Sequence, residues 1–111
     1  MKKLALTLLL SISTFTLFSE VHTVQMLNAG KEGMMVFEPA VITIKKGDTV
    51  KFIATDMLHN SSSVDGMIPD GAEAWVGGMS QDIEVTLSKE GVYVYQCTPH
   101  NMMAMVGVIK V

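Results

Sequence analysis

The sequence predicts an all-β domain, built as an antiparallel sandwich or barrel of short strands. β-branched and aromatic residues recur in short runs that are separated by turn residues, which is the pattern of such folds. No window carries the apolar stripe of an amphipathic helix. The 111 residues are enough for one domain.

Strands are predicted wherever such runs lie between turn signals. Asp82 to Leu87 alternates polar and apolar residues, as a half-buried strand does. Lys46-Gly47-Asp48 marks a turn, whereas several glycines and Pro69 indicate a long loop from 61 to 80, with a short strand near 74–76. The predicted strands cover residues 21–27, 41–44, 50–53, 82–87, 92–95 and 106–111.

The first 19 residues have the pattern of a secretory signal peptide. Lys2 and Lys3 precede an apolar run, and the first acidic residue is Glu20. The run is interrupted and shorter than the roughly 20 residues of a membrane-spanning helix. We therefore expect export, cleavage after Ser19, a domain over residues 20–111, and no membrane span once the signal is removed.

Charge and composition limit the possible partners. The chain has a net charge of −3, and apart from Lys2 and Lys3 it contains six lysines, no arginine and eleven acidic residues. Nucleic acid is excluded as a partner, because no basic stripe is available to neutralise phosphates. Cys97 is the single cysteine, so no internal disulfide is expected, and a bound metal is one way to protect an exported thiol.

The residues that carry chemistry lie between Cys97 and Met105. Cys97 and His100 offer a thiolate and an imidazole, and methionines 102, 103 and 105 follow them. Two imidazoles, one thiolate and a weak axial thioether define a blue copper site. The loop needs one more histidine, and His59, at the end of a β segment, is the expected supplier. His22 is expected to be an exposed residue near the amino terminus.

Each of these residues also has an ordinary structural explanation. A lone cysteine is commonly an inert small hydrophobe, and methionines often fill a core. A Cys-x-x-His pair also occurs in zinc sites, although such sites normally present more cysteines or a third histidine. Taken together, the residues favour copper. Their spacing leaves the axial thioether open between Met103 and Met105, with Met102 the weakest candidate.

Several longer motifs make the pattern specific. They are Met35-Val36-Phe37-Glu38-Pro39-Ala40, Gly47-Asp48-Thr49-Val50, His59-Asn60, Gly66-Met67-Ile68-Pro69-Asp70-Gly71-Ala72-Glu73-Ala74, Cys97-Thr98-Pro99-His100 and Met105-Val106-Gly107-Val108. With these motifs the chain resembles, from Met26 to Val111, the pseudoazurins of the cupredoxin family. The resemblance implies a Greek-key β-sandwich of about eight strands with one copper ion at one end.

The resemblance also implies the copper ligands and the function. It assigns the ligands as His59, Cys97, His100 and Met105. Asn60 would tie the strand that carries His59 to the Cys97 loop. Met35 would pack near the exposed histidine, unless it is simply a surface methionine.

By the same resemblance, the protein would be a monomeric periplasmic electron carrier and not an enzyme. Its partners would be periplasmic redox proteins such as a copper reductase or a c-type cytochrome. The ten methionines suggest copper delivery or storage as the alternative function. A small copper oxidase or reductase is a third hypothesis, but it would need an open coordination position.

Three features depart from the family pattern. The chain stops at Val111, so we expect it to lack the two helices that follow the last strand of typical pseudoazurins. Leu58 stands where a glycine is usual. Met57, Val76 and Gln96 occupy positions where lysines are expected around the copper end, so docking to acidic partners does not follow from the resemblance.

Overall fold

The computed structural model describes residues 18–111, which form a sandwich of two four-stranded sheets. The order of the strands is β2-β1-β4-β6 in one sheet and β3-β8-β7-β5 in the other. The strands are β1 (Val21–Gly30), β2 (Gly33–Glu38), β3 (Val41–Thr43), β4 (Thr49–Ile53), β5 (Ser62–Ser63), β6 (Ile83–Thr86), β7 (Val92–Gln96) and β8 (Val106–Lys110).

The all-β class and the eight-stranded sandwich are confirmed, and six of the eight strands match predicted ones. β2 was not predicted, because its Gly-Met-Met start carries no β-strand signal; it forms a hairpin with β1. β5 is a two-residue strand, too short for periodicity to detect. The short strand expected near 74–76 is a single bridge between Val76 and Ser62.

The expected antiparallel pairing does not hold at two pairs of strands. β1 and β4 are parallel, and so are β3 and β8. The chain leaves the first sheet at β3 and returns to it as β4, which lies beside β1 and runs in the same direction. Alternation in the sequence specifies which face of a strand is buried and does not specify the direction of its neighbour.

Local helical structure is confined to one turn-rich segment of the described residues. The segment between β7 and β8, predicted as a loop, contains a 3-10 helix (Thr98–Met103). No helix follows β8 within residues 18–111. The signal predicted for residues 1–19 lies outside the described residues except for Phe18 and Ser19. Among the described residues, no helix is long and apolar enough to cross a membrane.

The core is an aromatic cluster centred on Tyr95. The Tyr95 ring makes edge contacts with Phe37 and Phe52, at centroid distances of 4.7 and 4.9 Å. Tyr95 pairs in register with Gly107, where a Cβ atom would overlap the tyrosine ring. Because Tyr95 lies two residues before Cys97 on the chain, this packing fixes the end of β7 from which the thiol projects.

The β3–β4 turn forms one end of the sandwich and contains a buried carboxylate. Asp48 is almost fully buried and accepts hydrogen bonds from the backbone N–H groups of Glu20 and Lys45. These two bonds, together with that from His22, lower the pKa of Asp48 to about 2. His22 was expected to be exposed, but it is partly buried because its Nε2 atom lies 2.9 Å from Asp48 Oδ2.

Candidate metal centre

The two histidines and the cysteine singled out in the sequence meet at the opposite end of the sandwich. Cys97 Sγ lies 3.2 Å from His100 Nδ1 and 3.7 Å from His59 Nδ1. The three potential ligand atoms all lie within 4.8 Å of one another. His59 and Cys97 are fully buried, whereas His100 is partly exposed. The site therefore has a buried interior and one ring that reaches the surface.

Backbone hydrogen bonds fold the segment between β7 and β8 tightly around the thiol. The His100 N–H donates to the Cys97 carbonyl at 3.1 Å, and the Met105 N–H donates to the His100 carbonyl at 3.3 Å. The Cys97 N–H in turn donates to the Met105 carbonyl at 2.9 Å. Met105 is fully buried, whereas Met102 and Met103 are exposed. Of the three methionines, only Met105 faces the interior.

Asn28 orients the buried ring of His59. His59 Nε2 lies 2.7 Å from Asn28 Oδ1, so a proton on Nε2 is donated to the amide oxygen. This tautomer leaves the Nδ1 lone pair on the side of Cys97, as a metal ligand requires. Burial lowers the pKa of His59, and the neighbouring His100 lowers it further, so the neutral ring is favoured.

Asn60 connects the His59 segment to the Cys97 loop. Its Oδ1 atom accepts the Thr98 N–H at 2.7 Å, and its amide nitrogen donates to Thr98 Oγ1 at 3.1 Å. The same nitrogen donates to the Gly77 carbonyl at 3.3 Å. One buried side chain thus joins three segments that are distant in sequence and holds them beside the thiol.

Left-handed backbone conformations are concentrated around this end. Four non-glycine residues of the described chain have positive φ: Met35, Leu58, Ser80 and Ala104. Leu58 and Ala104 immediately precede His59 and Met105. The Ser80 N–H donates to the His59 carbonyl at 2.8 Å, and its hydroxyl accepts the Leu58 N–H at 2.8 Å. Such conformations cost roughly 1–2 kcal/mol each, so strain is stored next to the candidate ligands.

Met35 lies in β2, partly buried against the core, with φ of 52°. The residues on either side of it pair with those on either side of Asn28 in β1. Met35 is therefore placed at the same end of the sandwich as the two histidines.

Sequence reasoning missed Asn28 and Ser80. Asn28 lies on β1 and Ser80 in the loop that follows Gly77, and neither carries a motif that distinguishes it from an ordinary surface residue. Their hydrogen bonds to His59 become visible only when β1 and the 77–82 loop are placed beside the 57–60 segment.

Similarity to characterised proteins agrees with this geometry. Residues 24–111 match the family of copper binding proteins described as the plastocyanin/azurin family. A pseudoazurin of Methylorubrum extorquens is 44% identical over 108 residues, covering 96% of this chain and 73% of the relative. The chain belongs to the plastocyanin/azurin family, in its pseudoazurin group. A Paracoccus pantotrophus pseudoazurin is 38% identical, and the chain spans 65% of its length.

Solved structures of pseudoazurins have the same fold. The Sinorhizobium pseudoazurin is 53% identical with a TM-score of 0.81, covering 83% of this chain and 73% of that one. The Hyphomicrobium denitrificans pseudoazurin is 41% identical with a TM-score of 0.79, covering 82% of this chain and 74% of that one. A copper-containing nitrite reductase of Thermus scotoductus is 30% identical with a TM-score of 0.62, over 81% of this chain but only 22% of the enzyme.

Replacing Leu58 by glycine should stabilise the fold. Leu58 has φ of 69°, and 66% of the residue is exposed, so little buried surface is lost. Relief of roughly 1–2 kcal/mol of strain exceeds the roughly 0.4–1 kcal/mol that glycine adds to unfolded-state entropy. We expect Leu58→Gly to raise the free energy of unfolding by about 0.5–1 kcal/mol in urea titrations.

The neighbouring residue provides the matched control. Met57 is 73% exposed and is not among the residues with positive φ, so Met57→Gly should lower the free energy of unfolding. Equal destabilisation by the two substitutions would contradict the presence of strain at Leu58.

Proposed function

We propose that this pseudoazurin-type protein is a one-electron carrier and that His59, Cys97, His100 and Met105 hold its copper ion. The observation that carries the proposal is the convergence of two imidazole Nδ1 atoms on one buried thiol, beside a buried methionine. Thiolate and thioether favour Cu(I), and imidazole accommodates both Cu(I) and Cu(II). The donor set therefore fits copper. The chemistry that copper supplies when bound is the exchange of single electrons.

The protein's own residues keep this site rigid and dry. Asn28 and Ser80 fix His59, and Asn60 fixes the loop that carries Cys97. A site held in this way from several directions rearranges little when its charge changes, which favours fast electron transfer. His100 is the ring nearest to solvent, so we assign it as the outer-sphere route by which electrons enter and leave.

The alternative function, copper delivery or storage, has some support in the exposed methionines. Met102 is 98% exposed, and Met57 and Met103 are also exposed. A delivery protein would hold Cu(I) and would be colourless, because a thiolate-to-Cu(II) transition gives blue copper proteins their colour. The visible spectrum of the air-oxidised, copper-loaded protein therefore separates the two functions.

An enzymatic role has less support than electron transfer or copper delivery. The similarity to nitrite reductase is confined to about a fifth of that enzyme. Two imidazoles, a thiolate and a thioether would also leave no open position for a substrate. We propose a carrier that acts in the periplasm after removal of the signal segment. Its partners would be redox proteins such as a c-type cytochrome or a copper reductase, and it would work as a monomer.

The ligand assignment is tested first at the thiol. Cys97→Ser should abolish the visible absorption band of the copper-loaded protein, because the thiolate supplies the charge-transfer transition. The side chain is nearly isosteric, so the β-sandwich should persist in far-UV circular dichroism. His22→Gln, at the far end, should keep the band. A Cys97→Ser protein that stays blue would overturn the assignment.

The axial ligand is tested by comparing two methionines. Met105→Gln should keep copper bound and lower its reduction potential, since an amide oxygen is a harder donor than a thioether and favours Cu(II). The expected shift is at least about 59 mV, the equivalent of a tenfold change in relative affinity for one electron. Met103→Gln is the matched control and should move the potential little. The reverse ranking in protein-film voltammetry would make Met103 the ligand.

The surface around His100 should dock through apolar contacts. Met57, Val76, Met102 and Met103 are exposed, and the positions of Met57 and Val76 are among those where lysines were expected. Salt screens encounters that are steered by charge but has little effect on apolar contacts. Stopped-flow rates of electron transfer to a c-type cytochrome should therefore depend weakly on ionic strength.

A variant with added positive charge provides the control for the salt experiment. The double variant Met57→Lys, Val76→Lys should transfer electrons faster to an acidic cytochrome at low salt, and this gain should disappear as salt is added. A steep salt dependence in the unmodified protein would mean that docking is electrostatic.

A further inference from the structure

A second group of metal-binding side chains lies at the end of the sandwich remote from the proposed copper site. Glu20, His22 and Asp48 each place one potential ligand atom within 4.8 Å of the others. His22 Nε2 lies 2.9 Å from Asp48 Oδ2 and 4.0 Å from Glu20 Oε2. Asp48 is in the turn before β4, whereas His59 follows the other end of that strand, so the two sites are separated by the length of β4.

The Asp48 carboxylate is held in place before any metal arrives. It is nearly fully buried, and the nitrogen of Glu20, which is the α-amino group once the chain is cleaved after Ser19, and the Lys45 N–H donate to its two oxygens at 3.0 Å each. Carboxylates that bind metals are characteristically oriented by such hydrogen bonds. Its lowered pKa keeps it ionised near neutrality. The carboxylate is therefore already oriented, and a metal ion would replace the proton that His22 Nε2 shares with Asp48 Oδ2.

His22 completes the arrangement. The side chain is 27% exposed, so part of the ring contacts solvent while the residue itself lies in β1. Zinc binds histidine nitrogen and carboxylate oxygen at about 2.0–2.2 Å, so its ligand atoms lie at most about 4.4 Å apart. The distances of 2.9 and 4.0 Å fall within that limit.

We propose that Glu20, His22 and Asp48 form a second metal site for a divalent first-row ion of the zinc type, with solvent as the remaining ligand. One nitrogen and two carboxylate oxygens are the donors that Zn²⁺ accepts in open sites, and no thiolate or thioether is present to select Cu(I). The ion would join the start of β1 to the β3–β4 turn. This site is independent of the proposed electron-transfer function.

Zinc binding to the copper-loaded protein tests the proposal, because the first site is then already filled. Isothermal titration calorimetry should show that the copper-loaded protein binds one equivalent of Zn²⁺. Its visible absorption band should not change. His22→Gln should weaken zinc binding at least about tenfold. In the reduced, diamagnetic protein, the ring proton signals of His22 should shift on addition of zinc, and those of His59 and His100 should not.

Two exposed carboxylates provide further variants, and because both side chains face solvent their substitution should leave the fold intact. Glu20→Gln, whose side chain is 68% exposed, should also weaken zinc binding, whereas Glu32→Gln, an exposed acid outside the site, should not. The proposal is overturned if zinc fails to bind at millimolar concentration. It is equally overturned if zinc binds His22→Gln and Glu20→Gln as tightly as the unmodified protein.

Discussion

The structure around the candidate copper site depends on the hydrogen bonds between Asn60 and Thr98. They join the segment that carries His59 to the loop that carries Cys97 and His100, although Asn60 and Thr98 are 38 positions apart in the sequence. Because Asn60 is buried, breaking these bonds would leave amide and backbone groups without partners, at a cost of about 1–3 kcal/mol per group. The relative position of the two histidines and the thiol therefore depends on this buried amide.

The remaining scaffold acts on the same few atoms from other directions. Tyr95 anchors β7 in the aromatic core two residues before Cys97, and the absence of a side chain at Gly107 makes room for its ring. Asn28 and Ser80 hold the ring and the carbonyl of His59. Dense packing permits few alternative arrangements, so the donor atoms are brought together by the folded protein itself.

Backbone strain and exposed apolar residues occur at the same end of the sandwich. Leu58 and Ala104 adopt left-handed conformations directly before His59 and Met105. Met57 and Met102 are exposed close to these residues in sequence, and Val76 is exposed next to Gly77, whose carbonyl accepts a hydrogen bond from Asn60. Elsewhere in the described chain, positive φ angles occur at glycines, which adopt them without a side-chain penalty. Stability is thus given up locally beside the candidate copper ligands.

The sequence by itself determined the all-β class, most of the strands and the residues whose chemistry suits copper. These features are local: alternation reports a half-buried strand, and a cysteine, histidine and methionine in one loop report soft and borderline donors. Only the tertiary structure decided the parallel pairing of β1 with β4, the hydrogen bonds of Asn28 and Ser80 to His59, and the contact of His22 with Asp48. Each of these joins residues more than twenty positions apart, and single-residue patterns carry no information about which distant strands and loops become neighbours.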